Sequence, residues 1–229
     1  MMRTGLFLGL LLLVSLTALA QEKPQDYLLE KDGWRILKFD DKNANRFAAQ
    51  SDGTIFVSSD DSVSVLYKDV QVDLAQTPIL SWSWKVDKSV PPTDLSTKGK
   101  DDRSLALYVS FPFDYERAGF WERFIRDIIV AFKGKDTPGR VISYVWGGNA
   151  EKGNILESPY LKSAGALIVL QKAQKGDWVR ESVNVAKDYE RIFGQPANQP
   201  YQIAISADSD DTKVSSIGWV KDIKFGSGP

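Results

Sequence analysis

Ile79-Leu80-Ser81-Trp82-Ser83-Trp84-Lys85-Val86 alternates with a period of two. Leu80, Trp82, Trp84 and Val86 fall on one face, and Ser81, Ser83 and Lys85 on the other. That is the pattern of a strand with one face on a core and one toward water. Pro78 opens it. The same signal recurs on both sides, in Trp34 to Phe39, Thr54 to Ser58 and Ser62 to Val70, the last two divided by the turn residues Ser59-Asp60-Asp61. Ser104 to Phe111 is apolar on both faces and therefore central. Arg140 to Trp146, Gly165 to Gln171, Asp177 to Val185, Tyr201 to Ala207 and Ile217 to Phe225 complete about ten strands. The expected fold is all-β, an antiparallel jelly-roll-like β-sandwich.

Two segments change period. Gly119 to Phe132 places Trp121, Phe124, Ile125, Ile128, Ile129 and Phe132 at helical spacing, opposite Glu122, Arg123, Arg126 and Asp127. An inserted amphipathic helix packed on the sandwich fits that pattern. Its mixed-sign polar face argues against a membrane-surface role. Lys187 to Phe193 reads as one or two helical turns ended by Gly194. With no internal repeat or dividing linker, residues 34–229 read as one domain, preceded by a polar tail over 21–33.

The N-terminus is of another kind. One positive charge at Arg3 precedes an apolar run from Leu6 to Leu19, broken only by Gly9, Ser15 and Thr17. Ala18-Leu19-Ala20 then supplies small residues at the −3 and −1 positions of a cleavage site, so residues 1–20 read as a secretory leader and Gln21 as the new N-terminus. A retained anchor would need about 20 apolar residues, and this run is shorter, with no basic stop behind it. The expected location is periplasmic or secreted, with no membrane span after cleavage.

Composition narrows the chemistry. Cysteine and histidine are both absent. There is therefore no disulfide, lipobox or thiol nucleophile, no serine triad in its usual form, and no ordinary zinc, copper or haem site. Oxygen-ligand cations such as calcium remain possible, as does carboxylate-pair chemistry, because Asp and Glu number 30. A formal charge of −1 without a basic block gives no support to nucleic-acid binding. The 43% hydrophobic content and 7 tryptophans are those of a packed chain.

Candidate ligand-binding residues follow from this inventory. Asp101-Asp102-Arg103 precedes the central strand. It reads either as a turn, with an Asp capping backbone amides and Arg103 paired to a neighbour, or as a carboxylate pair lining a sugar or metal site. Asp208-Ser209-Asp210-Asp211-Thr212 is the most metal-like stretch, since Asp208 and Asp210 can offer two oxygens to one hard cation, although it lacks an EF-hand's glycine and distal glutamate. Among the aromatics, Trp84 and Trp146 are candidates for stacking on the C–H faces of a sugar; the competing reading places such rings in the core. Trp146 ends a strand at Gly147-Gly148 and is the ring expected to be exposed. Trp178, Arg180, Ser182 and Asn184 share one strand face, a polar binding face or a solvated one.

The order of several short motifs resembles the bacterial exported family filed as domain of unknown function 3047. They are Trp82-Ser83-Trp84-Lys85-Val86, Lys98-Gly99-Lys100-Asp101-Asp102-Arg103, Tyr144-Val145-Trp146-Gly147, Glu181-Ser182-Val183-Asn184-Val185 and Ala204-Ile205-Ser206-Ala207-Asp208-Ser209-Asp210. The resemblance runs from about Trp34 to Phe225 and implies an exported single domain, with no catalytic residues to carry over. The closing Asp222-Ile223-Lys224-Phe225 strand is also similar to the last strand of jelly-roll carbohydrate-binding modules. The expected function is a non-catalytic module binding a glycan or other small polar ligand through Trp84, Asp101, Asp102, Trp146, Arg180, Asn184 and Asp208. The alternatives are a carboxylate-pair glycan hydrolase or lyase drawing on Asp101, Asp102, Glu181, Asp188 and Asp208, and an envelope scaffold.

Overall fold

The computed structural model describes residues 26–116, 138–172 and 175–228. The leader over 1–20 and the amphipathic helix expected over 119–132 lie outside them. In chain order the elements are α1 (Asp26–Lys31), β1 (Trp34–Lys38), β2 (Arg46–Ala49), β3 (Ile55–Asp60), β4 (Val63–Asp69), β5 (Ile79–Lys88) and β6 (Arg103–Phe111). They continue with β7 (Arg140–Trp146), β8 (Ile155–Ser158), β9 (Lys162–Gln171), β10 (Lys175–Asn184), α2 (Val185–Phe193), β11 (Gln202–Asp208) and β12 (Ser215–Gly226).

The strands form two sheets, of order β1-β4-β11-β6-β7-β9-β8 and β10-β5-β12-β3-β2. The chain passes back and forth between them: β3, β5, β10 and β12 lie in the five-stranded sheet, while β4, β6 and β11 lie in the other. That winding is jelly-roll-like, and each crossing places an inward-facing row against the opposite sheet. The core between the sheets contains Leu66, Trp82, Trp84, Leu107, Phe111 and Tyr144. Among the described residues no helix is long and apolar enough to cross a membrane.

All ten expected strands are present, and β2 and β8 are additions. Each is only four residues long and sits at a sheet edge, too short for alternation to register in the sequence. One pairing departs from the antiparallel expectation. β9 runs parallel to β7, with Val141 opposite Gly165 and Val145 opposite Val169. The reason is the β8–β9 hairpin, which folds back at the edge and inserts its second strand beside β7. The stretch read as a polar tail holds α1, whose Leu29 is 3% exposed and joins the core.

The helix after β10 starts and stops as its caps dictate. Asn184 Oδ1 accepts a hydrogen bond from the Lys187 amide at 3.0 Å, satisfying one of the free donors of the first turn. Gly194 closes α2 in the left-handed region at φ 69° and donates its amide to Glu190. Between them Val185 and Tyr189 are buried.

Candidate functional site

Two places collect chemistry, one at the end of the sandwich near the start of β6 and one on the outer face of the five-stranded sheet.

At the sandwich end, antiparallel pairing of β6 with β11 sets Arg103 opposite Asp208. The buried Arg103 guanidinium donates to the Asp101 carbonyl at 2.7 Å and to its carboxylate at 3.2 Å, and lies 3.3 Å from Asp208 Oδ2. Its Nη2 donates to the Tyr108 hydroxyl at 2.8 Å. Tyr160 donates its hydroxyl to Asp101 Oδ1 at 3.2 Å. Asp102 turns the other way. It accepts from the Asp211 amide at 3.3 Å, the Thr212 amide at 2.7 Å and the Thr212 hydroxyl at 2.5 Å, which fixes the β11–β12 turn. Adjacent carboxylates on extended chain thus point apart, as the two-residue period requires. Lys42 pairs with Asp210.

The electrostatics follow from the crowding. Burial pushes Asp208 up to about 8; Arg103 opposes this, while Asp210 and Asp102 add to it. Burial also works to raise Asp210, but hydrogen bonds from Asp208 and Lys42 prevail and hold it below its ordinary value. Asp211 is raised by burial and by Asp102 and Asp210. The Asp208 and Asp210 carboxyl groups thus act on each other directly and are shifted in opposite directions.

The outer sheet face is built differently. Cross-strand register sets Lys85 beside Trp219 and Trp219 beside Phe56. Trp219 packs on Phe56 at 4.8 Å and donates its indole N–H to Asp87 at 2.7 Å. Trp178 on β10 remains 40% exposed, with the Lys221 ammonium 4.5 Å and the Lys85 ammonium 5.8 Å from its ring centroid. Next to this row, β12 bulges between Lys221 and Lys224, and Asp222 adopts φ 57°. The bulge opens a hollow of about 280 Å³ lined by Ser81, Ser83, Arg180, Asp222, Ile223 and Lys224, with Trp82 at its floor.

The expected ligand residues therefore disperse to four places. Asp101, Asp102 and Asp208 meet at the sandwich end, and Arg180 lines the outer hollow. Asn184 is occupied as the α2 cap. Trp84 and Trp146 are both 0% exposed, stacked edge to face at 5.4 Å, so neither presents a ring to a ligand. Trp146 was expected to open onto its glycine loop. Instead the ring turns into the core between the sheets, while Leu95 from the loop before β6 packs on the glycine loop so tightly that a Cβ on Gly148 would lie 2.5 Å from its Cδ1. Glu181 accepts from Gln171 at 2.7 Å and from the Trp84 indole at 3.3 Å, and Asp188 accepts from Tyr144 at 3.0 Å. Both are structural partners of core side chains. Sequence reasoning missed Lys42, Tyr160 and Lys85, whose only signal was their type.

The sequence profile of the family described as a protein of unknown function, DUF3047, matches residues 32–224. The chain belongs to that family. No curated protein matches it in sequence. Among solved structures, the xyloglucanase domain of NopAA, a type three effector from Sinorhizobium fredii, superposes with a TM-score of 0.46 at 8% identity, covering 86% of this chain and 95% of that one. The family 12 xyloglucanase of Bacillus licheniformis gives 0.45 at 7% identity over 84% and 93%. A family 29 carbohydrate-binding module from Piromyces equi gives 0.36 at 6% over 86% and 81%. None of these likenesses bears on which ligand this chain takes.

Proposed function

We propose that this protein is a non-catalytic module that binds a glycan on the outer face of its five-stranded sheet. One observation carries the reading: a large, exposed ring, Trp178, held in place by two lysines beside a polar hollow. An aromatic face supplies flat apolar contact for sugar C–H groups, and neighbouring Ser, Arg and Lys side chains supply hydroxyl partners. Because Lys85 and Lys221 already restrain the ring, less side-chain freedom is lost when a ligand docks. Lys85, Lys221, Lys224 and Arg180 outnumber Asp87 and Asp222 on this face, which favours glycans carrying carboxylates over neutral ones.

Calorimetric titration with soluble neutral and uronate-containing polysaccharides tests this. The acidic polymers bind more tightly, and Trp178→Ala and Arg180→Ala each weaken binding about tenfold or more with the fold intact. Binding that ignores both substitutions, or none at about millimolar sugar, defeats the reading.

The hydrolase alternative has less support. A glycosidase holds its two carboxylates about 5–10 Å apart across a substrate, whereas Asp208 and Asp210 touch, and Asp101, Asp102, Glu181 and Asp188 all serve structural bonds. The module works after export, with its leader removed between Ala20 and Gln21. Intact mass of protein from an expressing cell's envelope fraction then begins at Gln21; a retained N-terminus would refute the leader.

A further inference from the structure

At the end of the sandwich opposite Arg103, β12 outruns one of its neighbours. Its pairing with β3 stops at Val220 opposite Ile55, while its pairing with β5 continues to Gly226 opposite Ile79. Residues 221–226 therefore lack a strand on one side, and the two sheets are left open there. The opening is a hollow of about 360 Å³ whose apolar lining is Trp34, Ile55, Val70, Ile203, Ile223 and Phe225. All six belong to the core between the sheets or pack against it, so the hollow is a mouth of that core. Lys68 on β4 and Lys224 on β12 line it from the two sheets, and neither forms an ion pair among the described residues. Two other rim charges are already engaged: the Lys221 ammonium sits over the Trp178 ring, and Asp52 accepts from the Thr54 amide at 2.9 Å. With Asp222 exposed on the bulge, two unpaired ammonium groups face one unpaired carboxylate.

We propose that this hollow binds one acyl chain with a carboxylate head, the chain between the sheets and the head at Lys68 and Lys224. Burial of methylene groups against six apolar side chains supplies the attraction, and a concave apolar lining with a few charges at its mouth is the general form of a small-molecule site. Two separate ammonium groups, with no guanidinium fork and no helix N-terminus in the lining, suit one carboxylate better than a phosphate. A sugar fits poorly, because an apolar lining leaves its hydroxyls without partners. Nor does a peptide strand fit. The free edge of β12 carries the bulge between Lys221 and Lys224, with Asp222 at φ 57°, and a bulge interrupts regular pairing along an edge. Lys224 borders the glycan hollow as well, but Trp178 and Arg180 do not line this one, so the two readings fail or hold separately.

Sodium decanoate titrated calorimetrically into the protein gives one-to-one binding with a negative heat-capacity change. From butyrate to decanoate the affinity rises by about three- to fourfold per methylene, and decanol binds more weakly than decanoate. Lys68→Gln weakens decanoate several-fold and leaves decanol unchanged, a split that no loss of fold produces. Val70→Phe, which fills the hollow, weakens both ligands by about tenfold or more. Trp178→Ala leaves decanoate binding intact while it weakens polysaccharide, which tells the two sites apart. Absence of heat up to about 1 mM decanoate overturns the proposal. So does an affinity independent of chain length, or decanoate binding indifferent to both Lys68→Gln and Val70→Phe. Binding to anionic phospholipid vesicles with monomeric decanoate ignored overturns it too, and assigns the lysines to a membrane surface.

Discussion

Arg103→Met lowers stability by about 3–5 kcal/mol, a fall in melting temperature of about 10 °C or more for a domain of this size. The guanidinium is the shared partner of Asp101 and Asp208 and the donor to Tyr108, and all three contacts lie in a region largely closed to water. Methionine fills much of the volume but leaves the Asp101 carboxylate and the Asp208 carboxyl group without their shared donor. Lysine in its place recovers only part of the loss, because a single ammonium cannot reproduce the fork that reaches Asp101, Asp208 and Tyr108 at once.

The loss has a pH signature whose sign is fixed by linkage. In the native protein Asp208 keeps its proton to about 8, against an ordinary value of 3.8, so its contribution favours folding at low pH and disappears as pH rises through that window. Removing Arg103 takes away what favours the ionised form. The variant's folded state then binds at least as many protons as the parent's at every pH. Its deficit must widen as pH rises, by about 1 kcal/mol or more between pH 5 and pH 9. Urea melts of both proteins across that range measure it; parallel stability curves would mean that Arg103 does not neutralise these carboxylates.

How much of this was legible in the sequence depends on how local each feature is. The alternation in Ile79 to Val86 fixes which side of β5 faces the core, and the buried Leu80, Trp82, Trp84 and Val86 agree with it. The Asp101-Asp102-Arg103 turn is likewise local. The sequence allowed an Asp that caps amides and an Arg that pairs with its neighbour, and both occur. Convergence of that turn with Asp208 to Asp211 was not readable. It requires β6 and β11 to pair across about a hundred residues of chain, and no period in either segment reports its partner. Asn184 shows a subtler failure. Alternation grouped it with Arg180 and Ser182, but it is the last strand residue and the first helix cap, and capping claims its side chain. The parallel β7–β9 pair was hidden because strand direction leaves no mark on residue pattern when both faces are buried.

Trp146 is the case where a local signal misled, and it carries the second large effect. Trp146→Ala costs about 3–5 kcal/mol, whereas Trp178→Ala changes stability by no more than about 0.5 kcal/mol. The strand-end position and the glycines after Trp146 suggest an exposed ring, but its burial is decided elsewhere. Trp146 turns into the core between the sheets and packs on Trp84, while Leu95 covers Gly148 as part of a separate apolar cluster with Val145. Truncation removes a ring from a run in which Trp146 packs on Trp84, Trp84 on Trp82 and Trp82 on Tyr144, at centroid distances of 5.2–5.5 Å. The cavity cannot collapse easily, because its walls are two hydrogen-bonded sheets. Trp146→Phe retains most of the packing and falls between. Denaturation midpoints for the three variants, read at unchanged m-value, separate the roles. The same preparations titrated with polysaccharide then show Trp178→Ala losing ligand and Trp146→Phe keeping it. A Trp146→Ala protein that kept its midpoint but lost its ligand would return that ring to the surface and overturn the assignment of the core.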